Sequence, residues 1–207
     1  WGSGGDIDYR TTARAVLSAI AVHTLHEQDR YVLLGSWVNP GTEYYNATRS
    51  SDFMPGHFAS FAEASGDPLW AGLNDSTYDI FESIQNNHAS GTGLLPDFIL
   101  SPLDAPRPAH GGFLENDTDG VYGYNACRNP WRLGVHYLTT GDERAKRQLE
   151  RLNGWLESAS GGSPWNIKAG YALSGAELRD YPSMAFTAPF AVGAMVDAAI
   201  VMIENAH

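Results

Sequence analysis

Apolar residues return at three- and four-residue steps in one segment after another of this chain. That spacing restricts it to amphipathic helices packed on one another. Over residues 11–28, Ala13, Val16, Leu17, Ile20, Ala21 and Leu25 share one face. A second helix is expected from Phe53 to about Glu63, with Ser51 and Asp52 as candidate N-caps and Ser65-Gly66-Asp67 as its stop. Asp67 followed by Pro68 opens a third, a cap before a proline in the first helical position. Leu69, Trp70, Leu73, Tyr78, Ile80, Phe81 and Ile84 follow in it at helical spacing. A fourth helix is expected from about Ala126 to Thr140. Asp142 caps a fifth that turns Leu149, Leu152, Trp155 and Leu156 inward. After a loop or small hairpin at 170–181, a last helix has Thr187 as cap and Pro189 early. Its apolar face is Phe190, Val192, Met195, Val196, Ile200 and Ile203. Alternating strands are not evident. The class is all-α, a bundle or a toroid of helical hairpins.

The chain has 207 residues, 43% of them hydrophobic, enough to bury a substantial core in a single domain over residues 1–207. A net charge of -11 argues against nucleic acid, whose phosphates call for basic patches. It mildly favours neutral or cationic partners, and it serves solubility equally well. No apolar run of about 18 residues exists to span a membrane. The N-terminus, WGSGGDIDY, lacks the basic and apolar parts of a signal peptide, as a chain beginning after one would. Cys127 is the single cysteine, so no internal disulfide or cysteine-rich zinc site is expected. His23 and His26 lie three apart with no third ligand evident, and neither metal nor cofactor is expected. Sequons begin at Asn46, Asn74 and Asn116, which lends weak support to secretion.

Residues 86–122 form a long connection rich in Gly, Pro, Asn, Ser and Asp, and connections of that kind are often functional. Its end and the start of the fourth helix read GGFLENDTDGVYGYNACRNPWR. Cleaving a glycosidic bond takes a carboxylic acid that protonates the leaving oxygen and a carboxylate that activates water or attacks. Glu115 lies between the apolar pair Phe113-Leu114 and an acidic stretch, where its neighbours could anchor it while its head enters a cleft. Asp117 and Asp119 sit in an Asn-Asp-Thr-Asp-Gly turn, where hydrogen bonding to the backbone is their usual role. Six Trp and ten Tyr offer flat faces that suit sugar rings as well as cores. An acidic surface loop with no chemistry is the competing reading.

Several blocks, in order, resemble glycoside hydrolase family 8. They are Leu34-Gly35-Ser36-Trp37, Ala47-Thr48-Arg49-Ser50-Ser51-Asp52-Phe53-Met54 and Gly93-Leu94-Leu95-Pro96-Asp97-Phe98. Next come Phe113-Leu114-Glu115 and Tyr122-Gly123-Tyr124-Asn125-Ala126-Cys127-Arg128-Asn129-Pro130-Trp131-Arg132. Gly141-Asp142-Glu143-Arg144-Ala145 and Ala188-Pro189-Phe190 complete the set. The resemblance implies an (α/α)6 toroid, here partial, and inverting endo-hydrolysis of a β-1,4-linked glycan such as cellulose, chitosan, lichenan or xylan.

Many members of that family carry an aspartate base where this chain has Asn125, and an amide takes no proton from water at neutral pH. The chain resembles instead the chitosanase/endoglucanase subfamily that draws its base from an upstream loop, and the matching residue is Glu115. The resemblance then makes Asn125 a group that orients water or a sugar hydroxyl. It also makes Tyr122, Tyr124, Arg128 and Trp131 cleft residues and Trp37 a stacking platform. Asp52 falls near the cleft, although N-capping competes for it. In the family the general-acid Glu and an Asp-x-Asp motif lie upstream of the match to Trp1, and Asp6-x-Asp8 aligns after that motif. The expectation is a C-terminal fragment of a secreted catalytic domain, acting on polysaccharide, whose acid comes from the remaining part of the same domain. The rival is a helical domain that binds carbohydrate without cleaving it.

Overall fold

The computed structural model describes residues 6, 8–26, 28 and 30–204, with the backbone alone for 197–204. The helices are α1 (Tyr9–Thr24), α2 (Pro55–Ser65), α3 (Leu69–His88), α4 (Asn129–Thr140), α5 (Glu143–Ser160) and α6 (Met184–Glu204). Capping chemistry explains three of their starts. Asp8 accepts the Thr11 N–H at 3.1 Å, Asp67 that of Leu69 at 2.9 Å, and Asp142 that of Arg144 at 2.9 Å.

Two starts differ from expectation. Ser51 and Asp52 do not cap α2: they belong to a 3-10 turn, Ser50–Asp52, and the helix begins at Pro55, whose φ is already helical. Thr187 does not cap α6, which starts three residues earlier, and its hydroxyl donates to the Ser183 carbonyl at 3.3 Å. Pro189 consequently lies inside that helix and leaves one backbone bond unmade. Ile200 and Ile203 lie outside the residues whose side chains are described.

Helices α2 and α3 are joined through residues 66–68, and α4 and α5 through 141–142, giving two helical hairpins. Helix α4 is the hub, packed against α2, α5 and α6. Gly134 permits its approach to α6, because a Cβ there would stand 3.2 Å from Val192 Cγ1. Polar groups cross the core as well. The Tyr78 hydroxyl meets His136 Nδ1 at 2.7 Å between α3 and α4, and burial pushes the imidazole pKa down, which keeps the ring neutral.

The connections contain a small antiparallel sheet that the sequence did not reveal, in the order β1 (Ala47–Arg49), β2 (Phe98–Leu100), β3 (Arg107–Pro108). These strands are too short to display an alternation. Their register pairs Arg49 with Phe98, and the Arg49 guanidinium lies 5.0 Å from the Phe98 ring centre. Asp97 extends the arrangement, with its N–H donating to the Val121 carbonyl and its carbonyl accepting the Ser50 N–H. The sheet thereby brings residues 49–52, 97 and 113–128 to one end of the helices.

Candidate active site

Glu115 is held at the head of its loop by Asp119. Both oxygens of that fully buried carboxylate take backbone N–H groups: Leu114 at 2.7 Å, Glu115 at 3.0 Å and Asn116 at 3.0 Å. Asp119 thus has the backbone-binding role expected of it, and Asp117 is exposed in the same turn. Phe113 anchors the other end, buried against Phe98 and Tyr44.

The Glu115 side chain, 39% exposed, places one oxygen 2.6 Å from Arg49 Nη2 and the other 2.8 Å from Asn125 Nδ2. The Asn125 amide oxygen accepts from Arg128 Nη1 at 3.2 Å, and that contact fixes which end of the amide faces the glutamate. Arg49 also reaches Asp52 at 3.2 Å. A chain of alternating partners results: Asp52, Arg49, Glu115, Asn125, Arg128. The presence of an amide at position 125 has a direct reason. A second carboxylate at hydrogen-bond distance from Glu115 would need a proton between the two, whereas the amide supplies its own donor.

Arginines surround Asp52, yet burial, the largest influence, raises its carboxyl pKa against the pull of Arg49, Arg128 and Arg132. Beneath Asn125, Asp97 is 2% exposed, and burial pushes its carboxyl up to about 7 although three backbone N–H groups oppose the shift. Glu115, Asn125, Tyr124 and Arg128 line a cleft of about 140 Å³ whose far wall is the 169–179 segment, including Arg179. Bridges from Tyr171 to Tyr122 and to Glu177 hold that wall, so the 170–181 stretch is hairpin-like, one of the two expected forms.

Of the residues singled out from sequence, Glu115, Asn125, Tyr124, Arg128 and Asp52 come together. Tyr122 is a correction: it is 0% exposed and packs on Phe186 and Phe190, so it supports the floor and cannot touch a ligand in the cleft. Trp37 and Trp131 are exposed but do not line the cleft. Trp37 meets Tyr44 edge-on, and Tyr44 in turn meets Phe113, so Trp37 is coupled to the Glu115 loop from outside. Trp131 carries the Arg132 guanidinium 4.4 Å from its ring. Sequence reasoning gave no role to Arg49, Asp97 or Arg179. For Asp97 a signal existed, an acid inside the apolar run Leu94-Leu95-Pro96-Asp97-Phe98-Ile99. Among the described residues no group of three His, Cys, Asp or Glu could hold a metal ion. His26 is buried and stacks on Tyr31.

The helical arrangement is that of the family 8 glycoside hydrolases, present as part of their (α/α)6 barrel. The β-1,3-1,4-glucanase from Paenibacillus sp. X4 superposes with a TM-score of 0.89 and 42% identity over 95% of this chain and 52% of its own. A β-glucanase of Niallia circulans is 43% identical over 195 residues, 94% of this chain and 47% of the relative. A family 8 xylanase from Teredinibacter turnerae, solved with xylohexaose, shares the fold at a TM-score of 0.73 and 20% identity. No protein-family model matches the chain. The chain spans about half the length of the curated relatives it matches.

Proposed function

We propose that the chain contributes the base side of an inverting endo-β-glucanase, with Glu115 as the group that takes the proton from water. The observation that carries this reading is the clamp on Glu115: Arg49 on one oxygen and Asn125 on the other hold an exposed carboxylate in one orientation. Each oxygen keeps a lone pair for water. Tyr124 and Arg128 would meet the sugar, Trp37 would stack on it further out, and Asp52 would act through Arg49. The acid would come from a polypeptide segment beyond these residues, as the partial coverage of the relatives supports, with about 6.5–9.5 Å between the two carboxyl groups. A polymer of this kind is met outside cells, which favours secretion.

A neutral mixed-linkage glucan suits the cleft better than chitosan. The net negative charge of the chain would attract a polycation, but Arg128 and Arg179 line the cleft itself and Arg49 backs the base. Local charge outweighs net charge at such distances, because salt screens beyond about 10 Å.

Glu115→Gln keeps the shape and removes the base. In the polypeptide that carries these residues, it is expected to lower kcat on barley β-glucan by about 10²-fold or more while binding persists. Turnover near normal in that variant would overturn the assignment. One observation favours the rival reading of a binder without catalysis: the acidic residues lining the cleft are Glu115 and Asp97, and Asp97 is buried. Retarded migration in a β-glucan gel with no release of reducing ends would select it.

A further inference from the structure

We infer that Asp97, buried under the cleft, is a positioning residue that sets the Asn125 amide and through it the orientation of Glu115. The role in catalysis rests on the reading of Glu115 above; the geometry stands without it. Asp97 Oδ1 accepts three backbone N–H groups from one turn: Gly123 at 3.0 Å, Asn125 at 3.1 Å and Ala126 at 2.7 Å. Those donors lie at or just before the 3-10 turn Ala126–Arg128 that leads into α4, and among the described residues no carbonyl takes them instead. A single oxygen therefore organises the backbone on both sides of the Asn125 side chain.

The same residue is tied on its other sides. Its N–H donates to Val121 and its carbonyl accepts from Ser50, so the 3-10 turn holding Asp52, the strand carrying Phe98 and the Asn125 turn all meet at residue 97. The remaining carboxylate oxygen, Oδ2, lies 2.4 Å from where a Cβ on Gly123 would stand. Only a glycine lets the turn close this tightly over the carboxylate. Burying a carboxylate costs free energy, and that cost is what a simple packing role would avoid with an apolar side chain. The side chain that the turn presents is Asn125, whose Nδ2 contacts Glu115 at 2.8 Å.

The experiment compares the Asn125 side-chain NH2 resonances in ¹⁵N-labelled protein with and without Glu115→Gln, with kcat and KM on β-glucan measured beside it. In the protein as it stands, the Asn125 resonances should shift when Glu115→Gln is introduced, because Glu115 accepts from Asn125 Nδ2. Asp97→Asn, which keeps an oxygen facing the turn, should retain that response and most of the turnover. Asp97→Ala should lose the response and about 10²-fold in kcat with KM little changed, as expected when a reacting group is misplaced by about 1 Å. If Asp97→Ala does not fold, Gly123→Ala perturbs the contact from the other side and should abolish the same response. An Asn125 signal that still shifts with Glu115→Gln in Asp97→Ala or in Gly123→Ala would overturn the inference, whatever the thermal stability does. The spectroscopic arm reads the positioning even if Glu115→Gln shows that Glu115 is no base.

Discussion

A carboxylate that is to take a proton from water must be ionised, aimed and left with a free lone pair. Around Glu115 the aiming falls to different residues: Arg49 holds one oxygen, Asn125 the other, and Asp119 fixes the backbone from which the side chain projects. Asp97 is the residue whose own ionisation is in tension. Burial pushes its carboxyl from 3.8 up to about 7, with Glu115 nearby adding to the rise and the N–H groups of Ala126, Gly123 and Asn125 opposing it. The folded protein then holds a proton that the unfolded chain has released, so this stabilisation is full below the ordinary value and is lost as pH rises through about 7. Each pKa unit is worth about 1.4 kcal/mol. Between about pH 5 and about pH 8 the thermal midpoint should therefore fall further in the protein than in Asp97→Asn, which has nothing to titrate there. Parallel slopes for the two would refute this. The anchoring of Glu115 was legible in the sequence from its neighbours Phe113 and Leu114, while its candidacy as a base came from the family resemblance. Arg49 was not, because what defines it is Glu115, 66 positions away, and a pairing of that range leaves no local pattern.

Among the elements, α4 decides how the site sits on the helices. It follows directly from the 3-10 turn Ala126–Arg128 and packs on α2, α5 and α6 at once, so a shift of α4 moves Asn125 and Arg128 together. Gly134 faces Val192 across the α4–α6 crossing with room for hydrogen and little more. Gly134→Leu is expected to destabilise the fold by about 1–3 kcal/mol through overpacking. Gly154→Ala on α5 is the control. Nothing lies within 4 Å of its added Cβ, and it should gain about 0.5–1 kcal/mol from helix propensity. Urea unfolding separates the two, and a Gly134→Leu protein as stable as its parent would show that α4 and α6 can part without cost. Periodicity revealed α1, α3, α5 and α6, whereas α2 was read from its candidate caps and its stop; of α1 only Leu17 is buried. The starts of α2 and α6 were misplaced, because a 3-10 turn precedes one and Pro189 is tolerated inside the other. The three short strands escaped altogether, having register but too few residues for a period.

At the scale of the molecule, the first and last helices are unequally covered. Helix α1 packs on α2, while α6 packs on α4 and α5. Each of these outer helices still shows apolar side chains to solvent, Val16 and Val22 on α1, Met184 and Met195 on α6. In the Paenibacillus glucanase the matched region is 52% of the chain. Exposed apolar faces of this kind mark association surfaces, because burying them releases about 25 cal/mol per Å². The 207-residue chain on its own is accordingly expected to self-associate as its concentration rises, by sedimentation velocity. Val22→Glu combined with Met195→Glu should return it to a monomer with unchanged helical circular dichroism, since both side chains are exposed and neither contributes to the core. A chain that stays monomeric throughout would mean that these faces are covered in some other way. An association that survives both charges would move the contact elsewhere on the molecule. If the charges do disperse the chain, the same two substitutions should also weaken turnover in a longer polypeptide under the function proposed above, in which the acid would come from polypeptide seated beside these helices. That loss should appear in kcat and spare the Asn125–Glu115 contact, which distinguishes a ring that fails to close from a base that is wrongly placed.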